Sequence, residues 1–422
     1  MRDRGWKART TEVVRKHRPD YMIALYTAIL MLIGLVVIYA IGPQRANVLN
    51  NAIGSNFSDS YFFLKQLASL ALAVAAFVGM AMLPYKFVLK HASKLLIFGL
   101  VACILLFLAS VIGLSIADPV NGATRWFHLG VLGTIQPAEI LKFGALVYLA
   151  VFLGSRMKLG SINNKETLIP VGIVTAVAMF IIIVIQRDLG TGISLTAIIV
   201  TMLMIAGLSK KIGGYLLLGL LILGCLLIFT SPHRVDRVMT YLQGDSSSTD
   251  DAGAYHIEHA KIAIGSGGFG GVGIGNSVQA TGYLPEAIND SVFAILGETF
   301  GFVGLIILMG IFVALLLRLL KVLDHLVDQR LKLLVAGVFG WFGAHVILNI
   351  AAMIGIFPLT GITLPLLSFG GTSMIFITAA LGLVFQLSGY TVHSSRLKEA
   401  THENSSSGRR VGRTRYASRR SS

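Results

Sequence analysis

Two carboxylates, Glu286 and Asp290, close the polar stretch GNSVQATGYLPEAIND, and an apolar run begins directly after them. A carboxylate at such a boundary can act as a general base towards an incoming hydroxyl group. It can also cap the helix that follows, because Asp is a favoured N-cap and complements the positive end of the helix dipole. The two roles are compatible in one side chain. A second pair, Glu139 and Lys142, stands three residues apart in an otherwise apolar segment, and Glu298 lies two turns into the run after Asp290. Ionisable groups at the centre of a membrane helix cost about 2.5 to 3.5 kcal/mol each even on a lenient scale. Such groups either neutralise one another across a helical turn or line a polar cavity.

Other motifs are weaker. The run GSGGFG, Gly265 to Gly270, has the spacing of a dinucleotide fingerprint, but that spacing carries meaning only between a strand and a helix. Here the glycines are expected to allow a tight backbone path. His256 and His259 flank Glu258, and two histidines three apart without a clear third ligand fall short of a metal site. No two aspartates are spaced D-x-D. The cysteines, Cys103 and Cys225, both fall inside apolar runs, so no disulfide framework is implied.

The elements that must position these residues follow from composition. The 422 residues are 55% hydrophobic and 13% charged, with a mean hydropathy of +0.77. Apolar stretches of about 20 residues, enough to cross the hydrocarbon as helix, recur along the whole length. Ten are expected: 22–41, 64–83, 93–114, 136–154, 168–186, 191–208, 212–230, 291–317, 333–357 and 372–390. Between the fifth and sixth, Gln186, Arg187, Asp188 and Gly190 are read as a tight turn at the membrane surface. The predicted fold class is therefore an all-α polytopic membrane protein. Its membrane domain fills 21–390, between a basic tail at 1–20 and a Ser/Arg-rich tail at 391–422 that is expected to be disordered.

Orientation follows from Lys and Arg, which are retained on the cytoplasmic side. With the N-terminus inside, 27 of the 35 fall in the tails and inner loops. Both termini are then cytoplasmic, and the acids Asp59, Asp118, Asp188, Asp236, Asp245, Asp250, Asp251, Glu258, Glu286 and Asp290 lie on the exterior side. The net charge of +15 thus serves topology and anionic lipid rather than nucleic acid. The one long connection, 231–290, lies outside. Loops of that length are usually functional or disordered, and HIEHAKIAIG within it is patterned as a short interfacial helix.

Four blocks, in order, resemble the SEDS (shape, elongation, division and sporulation) family. They are GATRWFHLGVLGTIQPAEILK from Gly122, QRDLGT from Gln186, GNSVQATGYLPEAINDSVFAILGETFGFVG from Gly275, and NIAAMIGIFPLTGITLPLLSFGGTS from Asn349. The resemblance implies the ten-helix SEDS fold and a peptidoglycan glycosyltransferase. Such an enzyme polymerises lipid II on the outer face of the cytoplasmic membrane, beside a class B penicillin-binding protein and, in dividing cells, other divisome proteins. The family's catalytic aspartate closes its PEAHTD block, and Asp290 closes PEAIND here. Ile288 replaces that block's histidine, Arg187 stands where the family usually has proline, and the first span lacks a serine-rich ending. PEA before the aspartate and Gly297-Glu298 point to the division branch over the elongation branch.

Granted that substrate, an α-linked polyprenyl diphosphate donor and a β-1,4 product require one inverting displacement. A glycosidase needs a second carboxyl to protonate its leaving group; expulsion of a diphosphate needs cations instead. Asp290 is the expected base. Lys65, Arg125, Lys142 and Arg187 are expected to hold diphosphates, with Gln136, Glu139, Gln279, Glu286 and Ser368 as further substrate-binding candidates. No protein metal site is expected, although a divalent cation, Mg or Mn, could assist. Two competing readings are a lipid II translocator, whose charged path would have to continue across the midplane, and a non-catalytic division scaffold.

Overall fold

The computed structural model describes residues 17–119, 123–130, 133–216, 218–219, 235 and 252–391. Nine of the expected spans coincide with helices: α1 (Tyr21–Ile53), α2 (Tyr61–Met82), α4 (Ala92–Ile112), α5 (Pro137–Lys158), α6 (Lys165–Met179), α7 (Leu189–Ile205), α9 (Val292–His325), α10 (Gln329–Met353) and α11 (Thr372–Ser388). The short α3 (Tyr85–Lys90) links α2 to α4, and α8 (Ala252–Ser266) precedes α9. Among the described residues seven helices are long and apolar enough to cross a membrane; α7 and α11 are apolar but shorter. Most of the expected seventh span lies outside the described residues, as do most of both tails and the first part of the long loop. Among the described residues the strands are those of a short hairpin, β1 (Phe127–His128) with β2 (Thr134–Ile135).

Two helices outrun their apolar patterns. α1 continues from its expected end at residue 41 through Pro43 to Ile53 because its last turns gain tertiary partners. Gln44 Nε2 donates to Gly275 O at 3.4 Å, and Val48 lies against Gly282. α9 runs on to His325 but breaks at Gly301, which has φ 65° and ψ −166°.

That break explains the glycine-rich run. Freed backbone groups of α9 are satisfied by the chain just after α8. Val272 N donates to Glu298 O at 2.9 Å and Gly273 N to Thr299 O at 3.1 Å, while Phe302 N donates to Gly268 O at 2.9 Å and Val303 N to Phe269 O at 3.2 Å. Unpaired backbone groups in hydrocarbon would cost several kcal/mol each. The two backbones approach so closely that a Cβ on Gly267 would sit 2.0 Å from Gly297 O, and one on Gly271 2.2 Å from Thr299 O.

Contacts segregate to two ends of the bundle. At one, His17 donates its backbone N–H to Gly389 O at 2.9 Å, Asp20 meets Arg318 at 3.6 Å, and Asp328 caps α10; the basic connections cluster here. At the other end, the segments 123–135, 186–190, 275–291 and 357–371 converge. Between the ends α2 packs along α11, α4 along α5, and α10 against α5, α7 and α9. Gly271→Ala should lower stability by about 3 kcal/mol, the combined cost of strain at φ +82° and an overpacked contact. Thermal unfolding in detergent measures this, with Gly270→Ala, whose Cβ would meet open space, remaining close to wild type.

Candidate functional site

Asp290 sits in a turn rather than at the head of a helix. Residues 285–291 form consecutive turns in which Glu286 takes φ 49°, and Glu286 O accepts from Asn289 N at 2.9 Å and from Ser291 N at 3.3 Å. The N-cap of α9 is therefore Ser291, and the capping role open to Asp290 from sequence is not the one it fills. Ser291 Oγ donates to Pro285 O at 2.8 Å and lies 2.5 Å from His256 Nε2 of α8. Asp290 is half-buried.

Its main chain is held from below. Asn349 Nδ2 of α10 donates both to Asp290 O at 2.7 Å and to Ile362 O at 2.8 Å. The 357–371 segment thereby becomes a strap over the bundle. One side touches Gly190 through Thr360 and Ile362, and the other enters as far as Gly34 of α1 through Leu366 and Leu367. Phe369 N donates to Ile288 O at 2.7 Å. Ser368 Oγ accepts from Leu364 N at 2.9 Å and Ser368 O receives Gln66 Nε2 at 3.4 Å, so Ser368 is committed to shaping the strap. Leu366 at φ 70° marks its tightest point.

On the α5 and α7 side lies a buried polar network. Lys142 Nζ is 2.8 Å from Glu139 Oε1 with both side chains enclosed, and it donates to Ser194 Oγ at 3.2 Å under the Trp341 ring at 4.7 Å. The sequence-derived pair is thus a real ion pair, and Asp188 stands within electrostatic reach of Glu139. Asp188 caps α7 through Thr191 N at 2.9 Å, and its Oδ2 accepts from Gln136 Nε2 at 2.9 Å and Thr191 Oγ1 at 2.7 Å. Arg125 Nη2 donates to Arg187 O at 2.8 Å, and Arg187, exposed at φ 52°, forms the turn. Glu139 Oε2 remains without a hydrogen bond.

On the α1 and α2 side, Lys65 is exposed, with Nζ 5.6 Å from the Tyr61 ring and 5.9 Å from Phe369. Arg45 faces Glu286 at 3.8 Å, and the Glu286 carboxylate also accepts from Asn289 Nδ2. Gln279 is turned the other way: Oε1 meets His259 Nδ1 at 2.8 Å, and its backbone N–H points at the Glu298 carboxylate at 3.3 Å. Glu298, 2% exposed, also accepts from Ser277 Oγ at 2.5 Å and Val278 N at 2.9 Å. Among the described residues it pairs with no cation; its carboxylate ties the outer loop to α9. His256 and His259 thus have separate partners, and among the described residues no three His, Cys, Asp or Glu side chains converge on a metal position.

The structure therefore brings Asp290, Glu286 and Lys65 to one side of the strap and Gln136, Glu139, Lys142, Arg125 and Arg187 to the other. Gln279 and Ser368 serve the loops. Sequence reasoning passed over Asn349, Asp188 and Arg45 as site residues. The first two lie inside quoted motif blocks, which was the available signal; Arg45 lay in a stretch with no local pattern.

Comparison with known proteins gives a consistent picture. A family model described as "Cell cycle protein" and named for FtsW, RodA and SpoVE matches residues 20–393. The stage V sporulation protein E of Bacillus subtilis is 32% identical over 381 residues, covering 89% of this chain and 99% of that one. The probable peptidoglycan glycosyltransferase FtsW of Taylorella equigenitalis is 33% identical over 335 residues, covering 79% and 89%. Among solved structures, a chain of a peptidoglycan synthase complex that coordinates polymerization and crosslinking superposes with a TM-score of 0.67 at 26% identity, covering 88% of this chain and 97% of that one. The rod shape determining protein RodA of Thermus thermophilus shares the fold, at TM-score 0.62 and 23% identity, with 89% and 98% covered.

Removing one partner of the enclosed ion pair leaves the other charge buried, which costs about 3 to 5 kcal/mol. Lys142→Met should lose that much stability, and Glu139→Gln combined with Lys142→Met should regain most of it. Unfolding of the two single variants and the double variant measures the coupling; additive losses would contradict the pairing.

Proposed function

The chain belongs to the cell cycle protein family of FtsW, RodA and SpoVE, and we propose that it is a peptidoglycan glycosyltransferase that polymerises lipid II, with Asp290 as its general base. The observation that carries this reading is the turn at 285–291. It holds one half-buried carboxylate on a main chain fixed by Asn349, next to a strap with cations on both of its sides.

The chemistry needs few parts. The Asp290 carboxylate takes the proton from the 4-hydroxyl of the acceptor sugar as that oxygen attacks the anomeric carbon of the donor. The new C–O bond forms as the bond to the diphosphate breaks on the opposite face, and the diphosphate leaves with the electron pair. General-base assistance of this kind is worth about 10² to 10⁴ in rate. Lys142 and Arg125 on one side of the strap, and Lys65 on the other, supply positive charge for two diphosphates. Arg187 adds charge at the rim. Glu139, Gln136 and Asp188 orient Lys142 and the turn that presents Arg187, while Arg45 and Glu286 steady the Asp290 turn.

The setting supports an extracytoplasmic site. The basic connections collect at the opposite end of the bundle from Asp290, which supports a site on the outer face and both termini in the cytoplasm of a cytoplasmic-membrane protein. Exposed apolar faces on α4 and α6 suit lipid, so polyprenyl tails can reach the strap laterally. The relatives named FtsW favour a role in division, at the septum and with other divisome proteins. The solved synthase complex favours a cross-linking penicillin-binding protein as partner.

Asp290→Asn should abolish glycan polymerisation from lipid II, by at least about 10²-fold, while expression and melting stay near wild type. The assay is gel analysis of labelled lipid II in proteoliposomes that also contain the partner penicillin-binding protein. Undiminished polymer would exclude the proposed base.

A further inference from the structure

Helix α10 directs three side chains at four-residue spacing into the bundle, Trp341, His345 and Asn349, which are 1%, 5% and 1% exposed. That spacing places them on one face. The two ends of this row have partners: the Trp341 ring covers Lys142 Nζ, and Asn349 Nδ2 carries the Asp290 main chain. His345 stands between them, within electrostatic reach of Lys142 and facing the backbone of Thr363, and neither of its ring nitrogens has a hydrogen-bond partner of full geometry.

Unmet polar atoms gather around it. Trp341 Nε1, Asn349 Oδ1 and Glu139 Oε2 are also buried without a hydrogen bond. Each such atom costs on the order of 1 to 3 kcal/mol, and native interiors contain few of them. Trp341 Nε1 and the His345 imidazole are the donors among them, and beside the enclosed Lys142 ammonium group they are the groups able to meet a phosphate oxygen.

We propose that His345 is a substrate-positioning residue, whose imidazole N–H hydrogen-bonds a phosphate oxygen of a polyprenyl diphosphate held at Lys142. Lys142 supplies charge without direction. The imidazole, on the same helix that holds the Asp290 main chain, adds a directed hydrogen bond that retains the diphosphate equally in the bound substrate and through the reaction. This assignment rests on the glycosyltransferase reading of the site, yet it predicts binding that does not depend on turnover.

The test uses the full chain in nanodiscs with its partner penicillin-binding protein, and the variants His345→Phe, which keeps a ring but no donor, and His345→Gln, which keeps a donor. Binding of undecaprenyl diphosphate should weaken about 10- to 100-fold in His345→Phe, the loss expected for a hydrogen bond to a charged group. The KM for lipid II should rise in parallel with little change in kcat, and His345→Gln should recover most of both. A merely structural role would lower the melting temperature and kcat without this split. Unchanged diphosphate binding in His345→Phe would overturn the assignment, as would equal losses in Phe and Gln variants that melt like wild type. Should His345→Phe not fold, His345→Leu takes its place with the same expected loss. His345-dependent diphosphate binding by a wild-type chain that forms no polymer would sink the glycosyltransferase reading and leave this site standing.

Discussion

The interaction on which the rest depends is the pair of hydrogen bonds from Asn349 Nδ2 to Asp290 O and Ile362 O, at 2.7 and 2.8 Å. Hydrocarbon offers nothing to a bare backbone carbonyl, so irregular chain at membrane depth survives only where protein satisfies it. The turn carrying the Asp290 carboxylate and the strap beside it are both irregular. One side chain on α10 serves both, and this is what allows Asp290 to stand where a regular helix cannot present it.

The same requirement explains the outer loop. α9 breaks at Gly301, and its stranded donors and acceptors are taken up by residues 268–273. Glu298 then clasps Ser277, Val278 and Gln279, and His256 of α8 meets Ser291. The chain before Asp290 is therefore fixed to the helix after it at two levels. Across the strap, Glu139 and Asp188 set the place of Lys142 and of the Arg187 turn. A carboxylate on one rigid turn and cations on another would give the proposed inverting displacement the fixed geometry it needs.

Much of this was legible in the sequence, and for clear reasons. Apolar length fixes a membrane helix nearly by itself, so nine spans coincided with helices, although α1 and α9 ran well past their expected ends. The Glu139–Lys142 pair followed from spacing plus the cost of a lone buried charge. What the sequence did not carry were the long-range backbone pairings. The break at Gly301 is set by residues 30 positions earlier, and the extension of α1 past Pro43 by residues near 275–282. Asp290 read as a helix cap because local pattern cannot reveal that a turn pinned by Asn349 hands that position to Ser291. The glycine run read correctly as a tight path, although only the fold supplies the helix it lies against.

Because Asn349 donates to the main chains of Asp290 and Ile362, its removal tests the joint that holds the proposed base against the strap. The most direct measurement is the single-turnover rate of lipid II coupling by Asn349→Ala at saturating substrate, alongside its lipid II affinity. The rate should fall by about 10²-fold, as a misplacement near 1 Å costs, with affinity within a few-fold of wild type. A rate equal to wild type in a stably folded variant would contradict the claim that this hydrogen-bonded joint holds the catalytic carboxylate in place.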